Sequence, residues 1–172
     1  MDLWTKIVRL LPELRAYARS ISDEPADAED LVNDAVERAA KAERHPEDLD
    51  QLRPWMFRII RNLNTDELRK RRVRAEYPGV HGRLLHEMPS SAPGADDVVL
   101  IRTAFEKLTP NEREIPFLVD VMGMKYAEAA SVLDVPQGTV MSRISRARRS
   151  LLDLVAPAEV KPMVRTDTKK RR

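Results

Sequence analysis

Four side chains toward the carboxy-terminal end have types and spacing suited to reading a base pair: Thr139, Ser142, Arg143 and Arg146. Their offsets of three, four and seven put them on one helical face, while Val140, Ile144, Ala147 and Leu151 recur on another. Arginine can grip guanine through two parallel hydrogen bonds, and hydroxyls can hold phosphates. A helix offering these groups from its first turns is suited to the major groove of a duplex. A merely solvated basic face is the plainer alternative.

A second set lies upstream. Arg58, Arg61, Thr65, Arg69 and Arg72 follow offsets of three, seven, eleven and fourteen. At about 100° per residue they stay within one narrow stripe, which can track a phosphate backbone and would bind it in a strongly salt-dependent way. Asn62 lies beside them, and its amide can both donate to and accept from a base edge. Trp55 could stack on an unpaired base, but its place next to Pro54 at a helix start favours a packing role. A third set has the opposite sign: Asp30, Asn33, Asp34 and Glu37 share the outer side of a helix whose inner side is apolar. It suits a protein partner better than a polyanion.

Catalysis has no comparable constellation. There is no cysteine, which removes disulfides, thiolate metal sites and thiol nucleophiles. His45, His81 and His86 are scattered, and no nucleophile–base pair or metal-ligand spacing appears. With only five glycines, a glycine-rich phosphate loop is not expected either. The reading is of a protein that is not an enzyme, with no cofactor and no metal.

The elements that must carry these groups are helical, and the fold class expected is all-α. Leu3, Ile7, Leu10, Leu11, Leu14, Tyr17, Ala18 and Ile21 form a first stripe. Pro12 is expected to break or restart that helix, because an interior proline loses a hydrogen bond and clashes with the preceding turn. A second helix is predicted from Pro25 to about Glu43, with Leu31, Val32, Ala35, Val36 and Ala39 inside. The polar stretch His45–Gln51 follows, and a third helix is predicted from Pro54 to about Arg72 with Met56, Ile59, Ile60 and Leu63 in the core.

Residues Val73–Asp97 hold several prolines, glycines and serines without periodicity, and read as a linker between two small domains. Thr109-Pro110-Asn111-Glu112 then carries the signature of a capped helix start. Pro116 falls inside the helix this predicts, at a cost of about 3 kcal/mol unless that helix kinks or starts later. Helices near Tyr126–Leu133 and Pro136–Leu154 complete the second half. Ala130 is small enough for a close crossing between them, and Asp134 stands at a turn where a left-handed backbone is expected. Ala156–Arg172 reads as a mobile basic tail.

Charge is segregated although the net value is only +2. Ser22–Gln51 holds eleven acidic and three basic residues, whereas Arg58–Arg74 holds seven basic and two acidic ones. That alternation is what separate protein-facing and nucleic-acid-facing surfaces require. No amino-terminal signal pattern is visible, and no stretch approaches the roughly 18 apolar residues of a membrane span. A cytoplasmic location is expected.

Taken in order, five stretches resemble the extracytoplasmic-function group of sigma factors. They are Leu11–Ser20 (LPELRAYARS), Ala28–Ala39 (AEDLVNDAVERA), Arg53–Asn62 (RPWMFRIIRN), Leu108–Glu114 (LTPNERE) and Gly138–Arg149 (GTVMSRISRARR). The first and third further resemble the alphaproteobacterial general stress response members. The resemblance implies a region 2 helical bundle over residues 1–72, a linker over 73–97, a region 4 helix-turn-helix over 98–155 and the tail over 156–172. It implies as partners core RNA polymerase (β′ clamp helices and β flap), promoter DNA and an anti-sigma factor. Asp30, Asn33, Asp34 and Glu37 would dock on polymerase. Arg58, Arg61, Asn62, Thr65, Arg69 and Arg72 would read the −10 element, with the loop from about Glu43 to Leu52 capturing a flipped base, whose extrusion costs a few kcal/mol. Thr139, Ser142, Arg143 and Arg146 would read the −35 element.

Two positions depart from the family pattern: Met141 stands where lysine or arginine is usual, and Asp134 where glycine is usual. Two other functions compete with this reading. A sigma-like mimic would sequester an anti-sigma factor without touching promoters, but such mimics carry a receiver domain, and no β/α pattern is present. An ordinary helix-turn-helix regulator would leave the acidic second helix unexplained.

Overall fold

The computed structural model describes residues 1–22, 24–74, 100–101, 103–105 and 107–155, without the side chains of Arg72, Arg74, Pro110 and Asn111. The expected linker and basic tail therefore lie almost entirely outside the described residues. Every regular element among the described residues is helical.

Helix α1 spans Leu3–Ile21, its start fixed by the Asp2 carboxylate, which accepts the Thr5 backbone N–H at 2.8 Å. It runs through Pro12 without a break, contrary to the expectation from the proline rule. Pro12 is exposed, and the carbonyl it leaves unpaired belongs to the exposed Val8, where water can reach it. Ile7, Leu10, Leu14 and Tyr17 are buried on the opposite side and hold the helix across the gap. Helix α2 spans Pro25–Lys41 with Pro25 in its first turn, and buries Ala28, Leu31, Val32, Ala35 and Ala39.

Helix α3 spans Leu49–Arg74. It begins five residues before Pro54, because Leu52 is fully buried and draws the preceding polar stretch into a first turn; the Leu52 N–H bonds the Asp48 carbonyl at 2.8 Å. The connecting loop is accordingly shorter than expected, about 42–48, and the Lys6 ammonium ties it down by donating to the Glu47 carbonyl. Met56, Ile60 and Leu63 are buried as expected, Ile59 is only half-buried against them, and Phe57 joins the centre. Trp55 is half-buried against the core, in keeping with a packing role. Asn64 donates to the Ile21 carbonyl at 3.1 Å, closing the end of α1.

In the second half, the residues described between 100 and 107 are helical, and Ala104 and Leu108 are buried. Helix α4 spans Pro110–Pro116 behind a complete capping box, in which Thr109 and Glu112 exchange hydrogen bonds. Pro116 is where this helix ends. The chain widens there into a π turn, Phe117–Val121, closed by the Met122 N–H on the Phe117 carbonyl at 2.8 Å. Gly123, with φ of +65°, turns the chain into the next helix. Helices α5 (Tyr126–Leu133) and α6 (Gln137–Val155) form a helix-turn-helix. Asp134 has the expected left-handed backbone, φ 53° and ψ 49°.

The two halves share one core. Tyr17 of α1 packs on Phe57 of α3 at 4.7 Å between ring centres and on Phe117 of the π turn at 6.4 Å. Helix α5 lies along α3, and α6 packs on α4 and α5.

Candidate nucleic-acid and polymerase interfaces

The acidic face of α2 is displayed as the residue spacing predicts. Asp30, Asn33, Asp34 and Glu37 are all exposed, opposite the buried Leu31, Val32 and Ala35. Neighbouring acids are otherwise engaged: Glu29 binds Arg15 at 3.2 Å and Arg19 at 3.3 Å, and Asp27 holds Arg71 through two bonds of 2.9 and 3.0 Å. Hydrogen bonding to Asp27 raises the Arg71 pKa further above its already high value, and Glu67 adds to the effect. Arg71 is thus fixed to the acidic helix and does not extend the basic stripe. Within the acidic set, Glu37 pairs with Lys41 one turn on. That contact lowers its carboxyl pKa and leaves the group at the surface.

Helix α6 divides as its pattern predicts except at Leu151, which is half-buried rather than buried. Val140, Ile144 and Ala147 are buried, while Ser142, Arg143 and Arg146 are exposed and Thr139 is half-buried. Ser142 and Arg146 bond back to helix carbonyls, at 3.0 and 3.4 Å. Arg143 and Arg146 rim a shallow groove of about 370 Å³ between α4 and α6, floored by Ile115 and Ala147, with Glu112 on its far side. The side of α6 farthest from its buried stripe also carries Ser145 and Arg149, both exposed. The residue reading missed this pair, although their offsets of three and seven from Ser142 were the signal.

Helix α3 differs. Asn62, Thr65 and Arg69 are exposed, and Thr65 bonds back to the Arg61 carbonyl at 2.9 Å. The Arg72 side chain lies outside the description. Arg58 and Arg61, however, face the second half of the chain. Arg61 donates to Glu114 of α4 at 3.2 Å, and Arg58 lies 3.6 Å from Asp134 at the turn of the helix-turn-helix. Tyr17, fully buried, donates to the same Glu114 oxygen at 2.7 Å. Burial, then the adjacent carboxylate, pushes the Tyr17 phenol well above its ordinary range, so it stays protonated and remains a donor. Arg53 bridges Glu13 and the Met122 carbonyl and lies over the Phe57 ring.

Among the described residues no group of three His, Cys, Asp or Glu side chains could hold a metal ion. No described helix is long and apolar enough to cross a membrane.

Residues 7–74 match the sigma-70 region 2 family, and residues 99–151 match sigma-70 region 4. The chain is 33% identical over 150 residues to the ECF RNA polymerase sigma factor EcfG of Rhodopseudomonas palustris, covering 87% of this chain and 82% of that one. It is 32% identical over 134 residues to the ECF sigma factor SigC of Mycobacterium tuberculosis, covering 77% and 72%. Among solved structures, the sigma factor RpoE of Bartonella quintana, crystallised with the anti-sigma factor NepR, superposes with a TM-score of 0.75. The sequence identity there is 29%, over 90% of this chain and 96% of that one. A bundle followed by a helix-turn-helix, matched over most of the length of such relatives, defines the class: the chain belongs to the extracytoplasmic-function RNA polymerase sigma factors.

Proposed function

We propose that this sigma factor docks on core RNA polymerase through Asp30, Asn33, Asp34 and Glu37, and reads its promoters through two separate helices. Arg58, Arg61, Asn62, Thr65, Arg69 and Arg72 of α3 engage the −10 element, and Thr139, Ser142, Arg143 and Arg146 of α6 engage the −35 element. The observation that carries this assignment is the segregation of exposed charge on packed helices. The outer face of α2 is acidic and that of α6 cationic, each backed by its own buried stripe. Binding here selects where polymerase starts and makes or breaks no bond itself. The protein acts in the cytoplasm.

An anti-sigma factor controls it, on the likeness to the Bartonella RpoE bound to NepR. A binder that covers the α2 face removes polymerase, and one that holds the two halves removes promoter.

Run-off transcription tests the assignment. The purified chain, core polymerase and a library of genomic promoter fragments are expected to give start sites sharing a −35/−10 pair. Arg143→Ala and Asn62→Ala are each expected to abolish most of that signal. Full transcription from both variants would overturn the residue assignment.

A further inference from the structure

The residues proposed to read the −10 element are not equally available. Arg61 and Tyr17 converge on one oxygen of Glu114, whose side chain is 13% exposed, so the pair meets in a site largely shut from water. Hydrogen bonds to a charged acceptor in such a setting are worth more than exposed ones. Around this point, the Phe117 ring sits on Tyr17, and Arg53 reaches across to the Met122 carbonyl. Arg58 lies near Asp134, a contact between well-exposed groups that adds little. Every one of these contacts joins a residue of region 2 to one of region 4. Two of them engage α3 arginines that DNA would otherwise use.

From this arrangement we propose that region 4 is an intramolecular competitor for the −10-reading face of α3. Glu114 is the clasp that holds the chain closed, and α3 engages the −10 strand only after Arg61 exchanges the Glu114 carboxylate for DNA. Helix α6 is not part of this contact, and its cationic face stays exposed while the chain is closed. The inference rests on the assignment of α3 to the −10 element. An anti-sigma factor that spans both halves would then need only to strengthen a closed form the chain already has.

The chain lacks cysteine, so dyes can be placed at Arg9→Cys and Asp153→Cys, both exposed and on different halves. Energy transfer between them reports closure without polymerase or promoter. The otherwise native full chain is expected to show high transfer, and Glu114→Gln or Tyr17→Phe to lower it. Tyr17→Phe keeps the ring on Phe57 and Phe117, so it folds even if the Glu114 variant does not, and it changes no charge. Because apparent affinity scales with the competent fraction, losing one hydrogen bond to a charged acceptor should tighten binding of a fluorescent thymidine oligonucleotide about tenfold. Low transfer in the native chain would overturn the proposal. So would unchanged transfer in both folded variants, or lowered transfer with no gain in oligonucleotide affinity. If the native chain fails to direct run-off transcription while the dye and oligonucleotide results hold, the polymerase assignment fails and the clasp stands.

Discussion

Helices α3 and α6 carry the two cationic faces of this sigma factor, and the fold treats them oppositely. Arg143 and Arg146 on α6 are exposed beside a shallow groove, and among the described residues Arg146 bonds only its own helix backbone. Arg58 and Arg61 on α3 face two carboxylates of the second half, Asp134 and Glu114 respectively. Both helices follow the same design, an apolar stripe inside and arginines at helical spacing outside. What separates them is tertiary: α6 packs on the small helices of its own half, whereas α3 serves both as the centre of region 2 and as the bed for α5. On the proposed assignment, α6 is open to DNA in the free chain, whereas α3 must first release Arg58 and Arg61 from their partners on the second half. An exposed-looking charge pattern defines a candidate surface, while the ion partners decide when that surface can act.

The largest expected effect tests whether α3 is shared by both halves. Phe57 is fully buried in α3 beneath Tyr17, which in turn seats Phe117 of the second half. Phe57→Ala should lower unfolding stability by about 3–5 kcal/mol, the usual range for deleting a buried ring. It should also lower the energy transfer between halves in the fraction that remains folded. Urea denaturation followed by circular dichroism checks the first. A loss below about 1 kcal/mol would mean that the core relaxes around the deletion, and that α3 is a weaker centre than its burial indicates.

The next effect sharpens the contrast between the helices. Arg143→Ala and Arg146→Ala should each weaken binding of a −35 duplex by about 1–3 kcal/mol, the value of a good arginine contact to a base. The loss should be the same for the free chain and for the holoenzyme, because α6 is exposed in the free chain and the proposed assignment keeps it facing DNA in the holoenzyme. Arg61→Ala should weaken −10 binding only in the holoenzyme; in the free chain the lost DNA contact is offset by loosening of the Glu114 clasp. Fluorescence anisotropy on both forms measures this difference. Equal losses from Arg61→Ala in the two forms would erase the distinction between the helices.

Much of this was legible in the sequence, and the exceptions share a cause. The turn at Asp134 could be read because the left-handed backbone tolerates few side chains, and the neighbouring Ala130 and Pro136 marked the same crossing. The acidic face of α2 and the buried stripe of α6 followed from periodicity alone. The start of α3 was misplaced because Leu49–Gln51 looks polar, and only the burial of Leu52 against the other helices shows why the turn forms. Pro12 misled because the proline rule is local, whereas the burial of Leu10, Leu14 and Tyr17 that holds α1 together is not. The clasp had no local signal at all. Tyr17 and Glu114 are 97 residues apart, and each reads by itself as an ordinary core tyrosine and a helix glutamate.

The smallest effect concerns the element that carries Glu114. Helix α4 is only seven residues long, too short to persist by its own propensity, so its capping box matters more than it would in a long helix. Thr109 accepts the Glu112 N–H, and Glu112 accepts both the Thr109 hydroxyl at 2.7 Å and its N–H at 3.0 Å. The Thr109 hydroxyl, then its backbone N–H, hold the Glu112 carboxyl below its ordinary value of 4.5. A lowered folded value means that the unfolded chain takes up the proton first. The carboxylate's contribution is therefore complete near neutral pH, begins to fade as pH approaches 4.5, and is lost once pH falls through the lower folded value. Thr109→Ala should cost about 1 kcal/mol at pH 7, and the gap between the variant and the native chain should narrow as pH falls through the lowered Glu112 value, leaving the part carried by the Glu112 N–H bond to the Thr109 hydroxyl. Thermal unfolding of both across that range measures it. A gap that stays constant across that range would mean that the Glu112 carboxylate adds nothing to the cap. Loosening α4 in this way should also lower the transfer between halves slightly, because Glu114 can grip Arg61 only while α4 holds it in place.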